Sequence, residues 1–335
     1  MKALNNFKDT IIIRIPLILI TIQMFLTSCN EKNNGHDFFP FSEPECVGVS
    51  SDVLRTIENQ IDVYIKAQDI VGAELLIIKK NRTVLHKAFG WMNLENKIPM
   101  KRNTIFNIRS MTKPLVGTAI FMLLEQEKLF LEDRVLKFIP FFDNEKCRGI
   151  TIDHLLMHTS GFRSSQELNK KSKNLEEFVI EASKLGPFSE PGSHFYYSGC
   201  NSAFLAYIIE CITGTKAEVW IKTNILYPLQ MKDTFCVHNQ VISDSLYDRI
   251  SHVYALKENK YEKYLDPSWN PEFPYFGGGV GFYSTAMDYA KFLSMWLGWE
   301  ISKKSFLKNH LRSKQPFNQI PLIGLLPGIG KFLNQ

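Results

Sequence analysis

Several features are missing from this sequence, and each absence narrows the chemistry. No Gly-x-Ser-x-Gly run occurs, which argues against the serine elbow of the α/β-hydrolases. No His-Glu-x-x-His occurs, which removes the helical zinc-peptidase site. No basic run is interleaved with aromatics, and 39 Lys+Arg against 34 Asp+Glu leave a net charge of only +5, so nothing calls for nucleic acid. Cysteine is scarce, with 6 in 335 residues. Beyond Cys29 they stand at Cys46, Cys147, Cys200, Cys211 and Cys236, spacings that suit neither a disulfide framework nor a zinc site. They read mostly as small buried residues. The run Gly277-Gly278-Gly279-Val280-Gly281 has no following lysine at nucleotide-binding spacing and reads as a turn between substructures. No cofactor or metal is called for. What remains is a chain that is 45% hydrophobic, enough for one large domain or two intermeshed ones.

The N-terminus reads as an address. Lys2, Lys8 and Arg14 precede an apolar run from Ile15 to Leu26, broken by Pro16, Thr21 and Gln23. That run is too short and interrupted for a transmembrane helix. A basic start, a short apolar stretch and small residues before a cut describe a secretory signal, here residues 1–28. The ending Leu26-Thr27-Ser28-Cys29 resembles a bacterial lipoprotein box, which implies cleavage before Cys29 and lipid on its sulfur. Residues 29–43 then form a lipidated tether, and a bacterial cell-envelope location with a membrane as partner follows as an expectation.

Beyond the tether, Ser51 to Lys66 has the spacing of a capped amphipathic helix with Val53, Leu54, Ile57, Ile61 and Ile65 on one side. Val71 to Ile78 and Thr83 to Phe89 read as strands around a Lys80-Asn81-Arg82 turn, with Gly90-Trp91-Met92 leaving the second. A helical subregion is expected over about 125–275. Within it, Phe204, Leu205, Ile208, Ile209 and Ile212 share a helix face that Gly214 should stop. An amphipathic helix follows from Met287 to about Trp296.

The chemistry is concentrated in Ser110-Met111-Thr112-Lys113, read as the first turn of a helix. Pro114 fits there because early helical N–H groups have no intrahelical partner. Residues three apart share a helix face, so the Lys113 amine can reach the Ser110 hydroxyl. A serine hydroxyl is a weak nucleophile until an adjacent base takes its proton, and a lysine can be that base. The helix start adds orphan N–H groups where an oxyanion would form. The pattern alone is not specific, because Ser305 and Lys308 repeat it.

Context makes it specific. Thr104-Ile105-Phe106 precedes the serine, and Ile152-Asp153-His154-Leu155-Leu156-Met157-His158-Thr159-Ser160-Gly161 follows it. Pro191-Gly192 then leads to Phe195-Tyr196-Tyr197-Ser198-Gly199. Pro228-Leu229-Gln230-Met231 and the glycine run before Ser284-Thr285-Ala286 complete the series. This order, from about Pro44 to Phe292, resembles the serine β-lactamase-related family: class C β-lactamases, DD-carboxypeptidase-like penicillin-binding proteins and related esterases. Phe89-Gly90-Trp91-Met92-Asn93-Leu94 looks most like the esterase branch. The resemblance implies an α+β, three-layer, β-lactamase/transpeptidase-like fold over 44–335, an antiparallel sheet flanked by helices. It implies Ser110 as the acylated nucleophile, Lys113 as its base and Tyr197 as the phenol between nucleophile and leaving group. Gly199 and Asn201 fall where substrate would be bound. His158, in the loop before a tight Ser-Gly turn, is given a structural role.

Two departures accompany the resemblance. Gly199 stands where the family carries an asparagine that would hydrogen-bond substrate. The family's third element, Lys-Thr-Gly, His-x-Gly or Trp-Gly-Gly-like, is not found after Ser284. The expectation is a chain whose C-terminal sheet strands are missing by truncation or frameshift. Two functions follow: an envelope serine hydrolase acting on an ester, peptide or β-lactam, or a catalytically impaired lipoprotein binding cell-wall fragments.

Overall fold

A computed structural model of the chain describes residues 38–164, 166–238, 243–258, 260–265 and 274–298. Cys29, most of the expected tether, and residues 299–335, on which the expectation of missing closing strands bears, lie outside the described residues. The chain divides into two compact units, one ending at Gly90 and the other starting at Trp91, so the division falls inside the expected 44–335 domain.

In the first unit, helix α1 (Ser51–Lys66) starts where the Ser50 hydroxyl accepts the Val53 N–H. Leu54 is buried against Val47 and Val84. The apolar side drawn from the sequence is wider than the buried one, since Val53 remains 56% exposed. Strands β1 (Gly72–Lys79) and β2 (Arg82–Asn93) form an antiparallel hairpin, with Lys79 opposite Arg82. The turn is therefore only Lys80-Asn81, both at positive φ, the geometry whose twist suits a two-residue hairpin. The second strand does not end at Phe89. Gly90, at φ +63, lets β2 continue beneath Val71, whose carbonyl oxygen would lie 2.4 Å from any Cβ at that position.

In the second unit, Trp91 and Asn93 pair with β3 (Ile98–Pro99). Strand β4 (Phe106–Asn107) leads into α2 (Thr112–Glu125), then α3 (Ile152–Leu156), α4 (Gln166–Lys171), α5 (Leu175–Leu185), α6 (Gly199–Thr213) and α7 (Ala217–Ile221). Strand β5 (Phe235–Cys236), helix α8 (Asp244–Tyr247), strands β6 (Val253–Lys257), β7 (Lys260–Leu265) and β8 (Phe282–Ser284), and helix α9 (Ala286–Trp296) follow. All named strand pairs are antiparallel, as an α+β fold of this class requires. The 125–275 span is not wholly helical, however. It contains β5 and the β6–β7 hairpin, where Val253, Tyr254, Tyr261 and Tyr264 supply strand-favouring side chains. Tyr254 ties the hairpin down by accepting the Leu94 N–H at 2.7 Å and donating to Glu95 at 2.6 Å.

The core of this unit is built on α2 and α6. Helix α2 is apolar nearly all round and buried from Pro114 to Phe121, as befits a central helix. On α6, Phe204 is fully buried and meets the Phe142 and Phe162 rings edge-on at 4.9 and 4.8 Å. Gly214, left-handed at φ 67, ends α6 with its N–H on the Glu210 carbonyl. Strand β8 pairs with β4 and β5 on its two sides, which sets β4 and the start of α2 beside the end of the glycine run. Phe204→Ala should lower the unfolding free energy by about 3–5 kcal/mol, whereas exposed Val53→Ala should change it by under about 0.5 kcal/mol. Urea unfolding of both variants checks the contrast.

Candidate active site

Helix α2 begins at Thr112, and Ser110 sits in a single tight turn just ahead of it, Arg109–Met111. Arg109 is held at φ 47, an unusual angle for a side-chain-bearing residue. Its N–H bonds to the Asn107 side chain at 3.1 Å, and Asn107 bonds in turn to the Tyr283 hydroxyl. From the other side the Tyr289 hydroxyl donates to the Met111 carbonyl at 3.0 Å, and the Phe282 N–H donates to Thr112. Strand β8 and helix α9 thus clamp the turn and leave Ser110 exposed to solvent.

The three-residue spacing does what helix geometry predicts. Lys113 Nζ donates to Ser110 Oγ at 3.1 Å. It also donates to the Gly279 carbonyl at 3.1 Å, a contact that sequence reasoning missed. The glycine run lines the site and is more than a turn between substructures. Gly278 is left-handed at φ 70, and a Cβ there would meet the Ser202 carbonyl oxygen at 2.3 Å. Only glycine lets the loop lie this close to α6 and bring the next carbonyl to the lysine. The signal available in the sequence was the clustering of glycines itself, which marks close backbone approach.

Tyr197 comes to the same place from a distant segment. Lys113 Nζ lies 4.8 Å from the centre of its ring, within cation–π range. Behind the phenol, the His158 ring packs at 4.8 Å. His158 Nδ1 accepts the Ser198 N–H at 3.2 Å, which forces that nitrogen to be the unprotonated one. Asn201 Nδ2 donates to the same atom at 3.0 Å, and the Ser160 hydroxyl donates to Asn201 Oδ1. Burial, with the Lys113 charge adding to it, pushes the His158 titration down to about 4. The imidazole is neutral and structural, in line with its place in the loop.

The structure corrects the expectation for Asn201. Its side chain is 1% exposed and both ends of its amide are committed to His158 and Ser160, so it does not face substrate. Gly199 is half-buried, and its N–H is bonded to the Ser164 hydroxyl at 2.6 Å. Among the described residues a Cβ at Gly199 would meet only that hydroxyl, in ordinary contact at 3.5 Å. Cys200 is buried, with its thiol donating to the Arg163 carbonyl. Among the described residues no cluster of His, Cys, Asp and Glu could hold a metal, and no helix is long and apolar enough to cross a membrane.

Residues 57–323 match the Beta-lactamase family model, and the chain belongs to that family. It is 31% identical over 193 residues to Protein flp of Staphylococcus aureus, a match covering 56% of this chain and 39% of that protein. To Penicillin-binding protein 4* of Bacillus subtilis it is 31% identical over 202 residues, covering 54% and 44%. The chain therefore spans less than half the length of these relatives. Among solved structures, the octameric penicillin-binding protein homologue from Pyrococcus abyssi superposes with a TM-score of 0.62 at 26% identity, covering 74% of this chain and 57% of that one. The fold is accordingly β-lactamase/transpeptidase-like.

The His158 network has a pH signature. The folded chain holds the imidazole neutral to about 4, whereas an unfolded chain protonates it near ~6.5. Above that value both states are neutral and stability does not depend on this group. As pH falls from ~6.5 toward 4, only the unfolded state gains the proton, and stability should drop by roughly 3 kcal/mol. His158→Asn, whose amide oxygen can replace Nδ1 and which tolerates the left-handed φ of 56, should lose that slope. Urea unfolding between neutral pH and pH ~4 of both proteins measures it.

Proposed function

We propose that the chain is an envelope-anchored serine hydrolase working through an acyl-serine intermediate on an ester, amide or peptide substrate. The observation that carries this reading is the contact of Lys113 Nζ with Ser110 Oγ at 3.1 Å, under the Tyr197 ring. The Leu26-Thr27-Ser28-Cys29 ending supports attachment to a membrane through a lipidated Cys29. Gly199 and the Phe89-Gly90-Trp91-Met92 stretch favour an ester or D-amino-acid peptide over a β-lactam.

The residues divide the work. Ser110 Oγ attacks the substrate carbonyl carbon while its proton passes to the Lys113–Tyr197 pair. The Gly279 carbonyl holds one amine N–H and so fixes the Lys113 nitrogen against Ser110 Oγ. The Ser110 N–H, ahead of the first turn of α2, faces the oxygen that becomes negative. Collapse of the tetrahedral intermediate breaks the bond to the leaving group, which takes the proton back from the pair. Water then attacks the acyl-serine by the same steps in reverse order, with the pair as base.

A fluorophosphonate probe should label wild-type protein on Ser110, and Ser110→Ala should stay blank. Lys113→Ala should slow labelling by about 10²-fold or more, the usual scale for losing a general base. Peptide mass mapping and gel fluorescence read both. Soluble, folded wild type that labels no faster than Ser110→Ala would remove the hydrolase reading.

A further inference from the structure

We propose that Arg163 is a specificity-determining residue that receives an anionic group on the substrate of Ser110. This rests on the hydrolase reading and goes one step past it. The backbone of Arg163 is tied to the first turn of α6, immediately after Tyr197. Its carbonyl accepts the Cys200 thiol at 3.1 Å, and the next residue, Ser164, accepts the Gly199 N–H at 2.6 Å. The preceding residue, Phe162, is buried in the core against Phe142 and Phe204. The segment is therefore anchored on both sides of Arg163.

The side chain is held separately. The guanidinium carbon lies 3.5 Å from the centre of the Phe188 ring and 5.2 Å from that of Tyr196. Among the described residues the guanidinium meets these two rings and no carboxylate. Phe188 itself is 70% exposed, so the pair stands at the surface, against the residue that precedes Tyr197. A planar cation laid on an aromatic face keeps its N–H edges free, and those edges match carboxylate, phosphate or sulfate in a two-pronged contact. Because rings and backbone already order it, it gives up less freedom on binding than a loose arginine would. Gly199 adds no side chain of its own beside this segment, and among the described residues its Cβ position meets only the Ser164 hydroxyl, at 3.5 Å.

A purely structural Arg163, covering Phe188, would affect every substrate alike. The test therefore uses two matched ester pairs on the full chain: nitrophenyl hemisuccinate with its methyl ester, and acetoxybenzoate with its methyl ester. The first pair places the charge on the acyl side and the second on the leaving group. Arg163→Met should lower kcat/KM for the anionic member of one pair by about tenfold or more, mainly through KM, with the neutral member within about twofold. Arg163→Lys should fall between, and added salt should shrink the difference. Equal loss on both members, or no loss on either, overturns the inference. Wild type that takes the fluorophosphonate on Ser110 yet turns over neither pair, or does not favour an anionic member, overturns this inference alone. Wild type that resembles Ser110→Ala in that labelling overturns the hydrolase reading and this inference with it.

Discussion

The site depends on the position of one ammonium group. Lys113 Nζ is held between the Ser110 hydroxyl and the Gly279 carbonyl, each at 3.1 Å, with the Tyr197 ring over it. Two fixed contacts on one nitrogen set the direction of the rest of the group. Everything around the site serves that position. Helix α2 carries the lysine, the clamp of β8 and α9 fixes the serine turn, and the glycine run brings the carbonyl. A lysine on an exposed helix would instead turn into water and leave the serine without its base.

A second layer supports the phenol. The sequence Ser198-Gly199-Cys200-Asn201 both starts α6 and reaches back to the loop at His158. His158 accepts two hydrogen bonds on one nitrogen and packs its ring on Tyr197. A neutral imidazole can do this and a charged one cannot, because protonation would remove the acceptor. Burial keeps it neutral, so the same desolvation that stabilises the network also makes it sensitive to acid. Asn201, two residues beyond the position where the family places a substrate amide, is drawn inward by this network.

Much of the local structure was legible beforehand. Apolar spacing from Ser51 marked α1, Lys80-Asn81-Arg82 marked a hairpin turn that the structure narrows to Lys80-Asn81, and Gly214 marked the stop of α6. The Ser110–Lys113 contact followed from spacing alone. The errors share one cause. Gly90 looked like a strand breaker, yet it serves a close approach to Val71 inside a continuing strand. Val253 to Leu265 lay in a span read as helical, where pairing across a hairpin decided the outcome. Apolar spacing marked Val53 as inward, although the face that meets Val47 and Val84 is narrower.

The amino-acid sequence by itself determined what neighbours along the chain can settle: helix starts and stops, turn types, and a serine and lysine on one face. It also carried enough ordered landmarks to reveal the family. Only the tertiary structure decided which carbonyl meets Lys113, which way Asn201 turns, and what stands in the space left by Gly199. Those outcomes join segments as far apart as Lys113 and Gly279, where packing selects the partner. Spacing acts through bonds and local sterics, whereas these contacts exist only once the glycine run and α6 have closed against α2.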